Sequence, residues 1–561
     1  MLNPLTKHAP FHRPGGRESA LGDAVRTFGT WFGTAGRPLA GWWTAPKHPS
    51  RDGVVIAAPL GYEYWSTHRS LRTLAEALAR AGRNVLRFDW DGTGDSAGDA
   101  CDPCRVTAWR ASLAEAVKAM RGAGVERVVL VGMCLGAAFA LLDAAELGID
   151  DVVVCALAAS GSRFVKKSKL LGIADAERPG GVVYSGLAID TNTAAELARI
   201  NLEKHIPPPV ARTLLMTPVG SADKLIAALS ADGRELATVA CEEMRHMLDV
   251  PSEDAIVPPD FVAPIVAWLG EARVDHRRSL PVQRDSIDVP WRGGRVRETF
   301  TEVAGLTAIC SSIEGTRSDI LIVFLNSGSE PHIGPGRAWV EYARSLALLG
   351  HTCLRVDFSG WGESPDNGHA PGRPYDAHCV AETLRIVAAL RKQYARIVLV
   401  GLCASAWVAL KAAQLVGVEG VFALNPQLYW QPGDPVEALM IDTHRRRASE
   451  RLREARGARW KWWSLLDLLG IRPMAARWLI ALRKSRTLVM LSFAEGDDGL
   501  TYLRDRCGHR LARELRSGYL TVEETPGIDH QMYCLWRRSA IVDQMARFIS
   551  SLPPARTSNH E

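Results

Sequence analysis

Two short stretches of this 561-residue chain carry the residue types and spacing of a nucleophile site. Gly132-Met133-Cys134-Leu135-Gly136 and Gly401-Leu402-Cys403-Ala404-Ser405 each set a cysteine among small neighbours, after an apolar run and before a helix-like run. A Gly-x-nucleophile-x-Gly turn between strand and helix is a strained elbow that lifts the side chain clear of the sheet. The backbone N–H that follows it faces a developing oxyanion. A cysteine in that place attacks as the thiolate, which a neighbouring histidine and a helix N-terminus favour. The product of attack on an acyl carbon is an acyl-thioester. Because a thiolate is itself a good leaving group, esters and thioesters are better substrates for it than peptide amides. The competing reading is packing, since cysteine is among the most buried residue types.

The elements that must hold these turns are also written twice. GVVIAAPL from Gly53, SLRTLAEALARAGR and NVLRFDWDGTGDS in the first half answer to DILIVFLNSG, WVEYARSLALLGH and TCLRVDFSGWGES in the second. Leu86-Arg87-Phe88-Asp89 matches Leu354-Arg355-Val356-Asp357, and the strands RVVLVG and RIVLVG then lead into the two cysteines. Short apolar strands alternating with amphipathic helices predict an α/β fold: two fused domains, each a mostly parallel sheet with helices on both faces. The expected boundaries are 38–270 for the first domain, 271–295 for a polar, non-periodic linker and 296–553 for the second domain. Insertions at about 160–210 and 427–485 read as caps over the strand ends. The segment up to about Arg37 reads as irregular.

In these motifs the chain resembles the α/β-hydrolase superfamily, in a tandem arrangement covering most of its length. PLGYEYWSTHRS with RFDWDGTGDSAG, and VDFSGWGES with VGLCASA, are more closely similar to the serine-aminopeptidase S33-like group, including hydrolases associated with exosortase systems. The resemblance implies the order nucleophile, acid, histidine. In the second half that order gives Cys403, Asp497 (with Asp498 adjacent) and His530, in EETPGIDHQMY; in the first it gives Cys134, Asp223 and His246, in CEEMRHMLDV. The histidine would deprotonate the thiol while the aspartate fixes its tautomer. Oxyanion donors would come from Ala404 with Gly328 and Ser329, and from Leu135 with Leu60 and Gly61. His530 sits in a Gly-x-Asp-His loop frequent for the family's base, whereas His246 lies in an acidic, helix-like context. In relatives the first-half position is often not a nucleophile, so Cys134 stays open between catalysis and packing. Dienelactone hydrolases and polyhydroxyalkanoate synthases are similar in using a cysteine elbow, and the latter keep acyl transfer to an alcohol, amine or sugar as an alternative to hydrolysis. A non-catalytic binding or scaffold pair is the third reading.

Composition bounds the remaining choices. With 47% hydrophobic and 23% charged residues and a formal charge of +5, the chain has a globular make-up without the basic excess of a nucleic-acid binder. No apolar run reaches bilayer length, and eleven scattered cysteines fit a reduced, cytoplasmic setting. The lone pair Cys101-Asp102-Pro103-Cys104 reads as loop, and the chemistry calls for no metal or redox cofactor. His332 in SEPHIGPG is placed either at substrate or in solvent; Asp89 and Asp357 read as turn caps. The basic run from His444 to Arg459, leading into Trp460, Trp462 and Trp463, fits either a lid or a docking face. A docked partner would be anionic: a CoA phosphate, an acyl carrier protein or an acidic polysaccharide.

Overall fold

The computed structural model describes residues 25–218, 223–230, 233–273, 275, 283–316, 318–366, 368, 373–428 and 475–553. The first half builds an eight-stranded sheet. Its strands are β1 (Arg26–Thr34), β2 (Arg37–Ala45), β3 (Asp52–Ala57), β4 (Asn84–Phe88), β5 (Arg127–Met133) and β6 (Asp151–Cys155). A small separate sheet follows, of β7 (Ile173–Ala174), β8 (Val182–Tyr184) and β9 (Leu187–Ile189), before β10 (Arg212–Thr217) and β11 (Glu235–Ala240) return to the main one. The second half builds a nine-stranded sheet. It uses β12 (Ser286–Trp291), β13 (Gly294–Val303), β14 (Leu306–Ser312), β15 (Ile320–Phe324), β16 (Thr352–Val356), β17 (Arg396–Leu402), β18 (Gly420–Leu424), β19 (Leu488–Ala494) and β20 (Leu520–Thr525).

The spatial orders are β1-β2-β4-β3-β5-β6-β10-β11 and β12-β13-β14-β16-β15-β17-β18-β19-β20. Without β12 they coincide strand for strand. From β4 to β11 and from β16 to β20 neighbouring strands are parallel, and antiparallel hairpins extend one edge of each sheet. Strand alternation splits the core between two faces. In the second sheet Leu321, Val323, Ile397 and Leu399 pack under the helices Ala377–Leu390 and Ala404–Leu415. Ile320, Ile322, Val398 and Val400 pack under Ala338–Leu348 and Arg538–Ser550. The first sheet divides in the same way, with Val55 and Leu130 on one face and Val54 and Val129 on the other.

Two expectations need correction. The segment read as irregular up to Arg37 contains β1, paired along its whole length with β2; Gly29 and Gly33 interrupt its apolar alternation and conceal it. The stretch read as linker contains β12, whose Ile287, Val289 and Trp291 are buried. Its Pro290, a residue tolerated in edge strands, masks the pattern. The first insertion carries β7–β9 and the helices Gly161–Leu171 and Thr191–Ala198. Of the second, Leu428 and the helix Ala475–Lys484 are described; Trp460, Trp462, Trp463 and the basic run lie outside the described residues.

The halves meet through reciprocal ion pairs. Arg87 on β4 forks onto Glu363 at 2.8 and 2.6 Å, and Arg355 on β16 pairs with Asp95. Arg87 and Arg355 hold the same place in LRFD and LRVD, as Asp95 and Glu363 do in DGTGDS and SGWGES. Each half thus offers the same arginine to the same turn of the other, the self-complementary logic of a two-fold interface. A shared apolar cluster of Trp31, Trp42, Ile287, Val289, Phe300 and Ile309 lies beside the pairs. There the symmetry is broken: Gly29 pairs with Trp42 as Phe300 pairs with Ile309, and a Cβ on Gly29 would lie 2.3 Å from the Phe300 ring. The large residue of one half fills the place left by the small residue of the other.

His332 belongs to this interface, which corrects its assignment to substrate or solvent. It is 2% exposed, with Nδ1 2.7 Å from Asp357 and Nε2 2.8 Å from Asp95. Burial alone would push its pKa down, but the two carboxylates outweigh burial and hold it up at about 10. The unfolded chain releases this proton above about pH 6.5. The stability His332 contributes is therefore complete below that pH and is lost as pH rises towards about 10. Thermal melting of the wild type and His332→Gln between pH 6 and 10 should show a flatter pH dependence for the variant; equal slopes would refute the assignment.

Candidate active site

Each cysteine tops its elbow in the left-handed region: Cys134 at φ 52°, ψ −118°, and Cys403 at φ 54°, ψ −108°. Such backbone is strained for a non-glycine residue and persists only where packing over-determines it. The packing is visible at the flanking glycines. A Cβ on Gly132 would lie 2.4 Å from the Cα of Ala137, and one on Gly401 2.3 Å from the carbonyl carbon of Ser405. Gly136 is held as closely, 2.3 Å from the Ala57 carbonyl oxygen for an added Cβ. Ser405, which stands where Gly136 does, turns its hydroxyl back to the elbow, accepting from the Leu402 N–H at 2.9 Å.

In the second half three chemical groups converge on this turn. His530 Nδ1 lies 2.7 Å from Asp497 Oδ2, and the Cys403 thiol stands near enough to the same ring to raise its pKa. Asp497 caps the helix Asp498–Arg516, accepting from the Gly499 N–H at 2.8 Å through its other oxygen, so its carboxylate is fixed in direction. It is Asp497, and not its neighbour Asp498, that meets the histidine. Burial would lower the His530 pKa; the hydrogen bond to Asp497 and the neighbouring Cys403 override it and raise the value to about 10. The loop bearing His530 is stapled by Asn425, at the end of β18. The Asn425 side chain donates to the His530 carbonyl at 2.9 Å and accepts from the Ala494 N–H at 2.7 Å.

Two polar groups at the site escaped sequence reasoning. Tyr375 Oη lies 3.6 Å from Cys403 Sγ and donates to Gln427 Oε1 at 2.6 Å. Both residues come from loops without a motif, so only the fold brings them to the sulfur. The expected oxyanion positions lie at the strand ends beside the elbow. Ala404 opens the helix after Cys403, and Gly328 (φ 56°) and Ser329 follow β15, the strand paired with β17. Ser329 Oγ is buried without a hydrogen-bond partner.

The first half has the elbow, but among the described residues no histidine lines the cavity at Cys134. His246 is exposed on the short helix Arg245–Leu248 and does not line the cavity that Cys134 lines. The position of Asn425 is taken by Ala156, also at positive φ, which has no side chain to staple the following loop. The Asp223 side chain falls outside the described residues. Beside Cys134 stand instead Glu63 and Lys167, 2.6 Å apart. Burial, then the Glu63 charge, pushes the Cys134 thiol well above its ordinary range despite the opposing Lys167 charge. Leu60 is buried at the end of the β3 loop, and Gly61 (φ 81°) precedes the helix Tyr62–Arg80, with Tyr184 packed where its Cβ would be.

A mostly parallel sheet in this strand order, with helices on both faces and an elbow after its central strand, defines the α/β-hydrolase fold. Residues 322–551 match the model of the alpha/beta hydrolase family. Solved structures similar to the chain include Est1E from Butyrivibrio proteoclasticus bound to ferulic acid, at 17% identity over 43% of this chain and 95% of that one, with a TM-score of 0.33. A dienelactone hydrolase from Anabaena variabilis is 11% identical over 46% and 98% of the two chains, with a TM-score of 0.30. The Pyrococcus furiosus esterase Pf2001 is 14% identical over 48% and 92%, with a TM-score of 0.30. No curated protein matches the chain. Among the described residues no helix is long and apolar enough to cross a membrane.

Proposed function

We propose that the chain is a tandem α/β hydrolase whose second half cleaves an ester or thioester through an acyl-cysteine intermediate. The observation that carries this reading is the relay from Asp497 to His530 to Cys403, set on a strained elbow. The Cys403 thiol passes its proton to His530 as its sulfur attacks the carbonyl carbon, and the electron pair of the C=O bond moves to the oxygen, facing the Ala404 N–H and the β15 loop. On collapse the bond to the leaving alcohol or thiol breaks, and His530 supplies its proton. Water then attacks the acyl-cysteine, giving its proton to His530; the carboxylic acid departs and the thiol is restored. Asp497 holds the ring in one orientation throughout and stabilises the imidazolium each time it forms. The matching elbow at Cys134, with the strand order repeated around it, supports duplication followed by loss of the base in the first half.

Intact-mass measurement on full-length protein treated with p-nitrophenyl hexanoate tests this. One hexanoyl adduct, mapped to Cys403 and released by water, is expected. No adduct at either cysteine would make the pair a scaffold, and an adduct released only on adding an alcohol or amine would make the reaction acyl transfer.

A further inference from the structure

The other half holds a cavity that this reading leaves without a role. Cys134 lies on a cavity of about 640 Å³, within the range of small-molecule sites. Leu157, Phe164, Leu225 and Leu248 give it an apolar wall. The elbow beneath it has kept its geometry, and Leu135 opens the helix Leu135–Asp143, so its N–H has no partner within that helix. The site therefore retains the backbone donor at the head of the helix, while among the described residues no histidine lines the cavity to activate the sulfur.

The charges around the cavity limit what enters. Lys167 is spent on Glu63 at 2.6 Å, with Tyr184 Oη 3.4 Å from the other Glu63 oxygen, and Arg163 is paired with Glu203. Asp249 adds a further carboxylate, 3.7 Å from Lys167. An anion would face three carboxylates whose cations are already engaged, and an ammonium would give up water for carboxylates already bonded to protein cations. A neutral ligand avoids both costs.

Glu63, on the cavity wall, is also linked to the other half. Tyr184 ends β8, and the two-residue turn Ser185–Gly186 after it has positive φ at both positions, 50° and 85°. The turn reaches across the interface. Gly186 packs so closely on Gly336 that an added Cβ would lie 2.3 Å from its Cα, a Cβ on Gly336 would lie 2.9 Å from the ring of Tyr533, three residues beyond His530, and Ser185 stands near enough to Tyr533 to oppose the rise that burial gives its pKa. A continuous set of contacts therefore runs from Glu63 through Tyr184 and Ser185 to the His530 loop.

We propose that the first half is a binding site for an uncharged carbonyl compound, an ester or amide of an apolar acid, which it holds without cleaving, and that its occupancy is passed through Ser185–Gly186 to the His530 loop. The second clause rests on the proposed role of His530; the first does not.

The probe is N-butylhexanamide, titrated calorimetrically into the full-length Cys403→Ala protein. Binding is expected, and adding Ala158→Trp, which fills the cavity, should weaken it about tenfold or more, the value of a few lost apolar contacts. If that variant fails to melt cooperatively, Leu248→Trp takes its place. Affinity unchanged by a folded cavity-filling variant would overturn the site, and hexanoate or hexylamine binding as tightly as the amide would overturn its chemistry. In the protein with Cys403 intact, saturating amide should change kcat for p-nitrophenyl acetate. Ser185→Ala should abolish that change while leaving amide binding intact. An amide effect confined to KM and unaltered by Ala158→Trp would place the amide in the second half and refute the coupling. Absence of turnover would count against the Cys403 reading alone, because the binding arm needs no activity.

Discussion

Cys403→Ala is expected to lower turnover of p-nitrophenyl hexanoate by about 10⁴-fold or more, while Cys134→Ala retains most of the wild-type rate. The size follows from how a relay works: its members act as a unit, and removing the nucleophile leaves only binding and oxyanion donors. The asymmetry follows from the surroundings of the two sulfurs. Cys403 faces a histidine whose pKa it helps to raise and that is itself held by Asp497 at 2.7 Å. Cys134 has burial and the Glu63 carboxylate against its ionisation, and its candidate histidine is exposed elsewhere. Steady-state kinetics on both variants decide the point, and a dead Cys134→Ala beside an active Cys403→Ala would reverse the assignment of roles. Asn425→Ala, which unstaples the His530 loop without touching the sulfur, is a useful companion: kcat should fall while the Cys403 adduct still forms.

The two elbows were legible because strand, turn and helix are local and the steric demand falls on adjacent residues. Asp497 and His530 were legible for a related reason, since each follows a strand whose apolar run is plain. His246 is placed differently from His530 because a histidine after the last strand is positioned by what braces its loop. The brace in one half is the Asn425 side chain, at a position that is Ala156 in the other. Comparing GVFALNP with VVVCALAAS at that register would have exposed the difference. The interface was hidden more deeply. Arg87, Asp95, His332, Arg355 and Glu363 satisfy local roles in turns and strands when read one half at a time, and their partners lie more than 200 positions away. Arg337 is the extreme case: its buried guanidinium donates to the carbonyls of Gly92, Gly94 and Gly98, groups that carry no side-chain signature.

The interface also sets the largest expected effect on stability. Glu363→Gln should destabilise the protein by about 3–5 kcal/mol, because it leaves Arg87 buried without the carboxylate that compensates its desolvation. Burial pulls against the charge of Arg87, and against that of Glu363, whose pKa is nonetheless held well below the ordinary range by Arg87 and His68. Arg87→Met should cost a similar amount for the mirror reason. The double variant Arg87→Met/Glu363→Gln should recover a large part of either loss, since it removes the charge with its partner. Urea denaturation of the four proteins gives the cycle; additive losses in the double variant would show that the pair is not coupled. The exposed pair Arg163–Glu203 is the control, expected to change stability by about 1 kcal/mol or less. Because Arg87 and Glu363 come from different halves, the cost falls on their junction more than on either sheet. Calorimetry on Glu363→Gln should then separate one unfolding transition into two, the first-half and second-half sheets each melting around its own two-faced core.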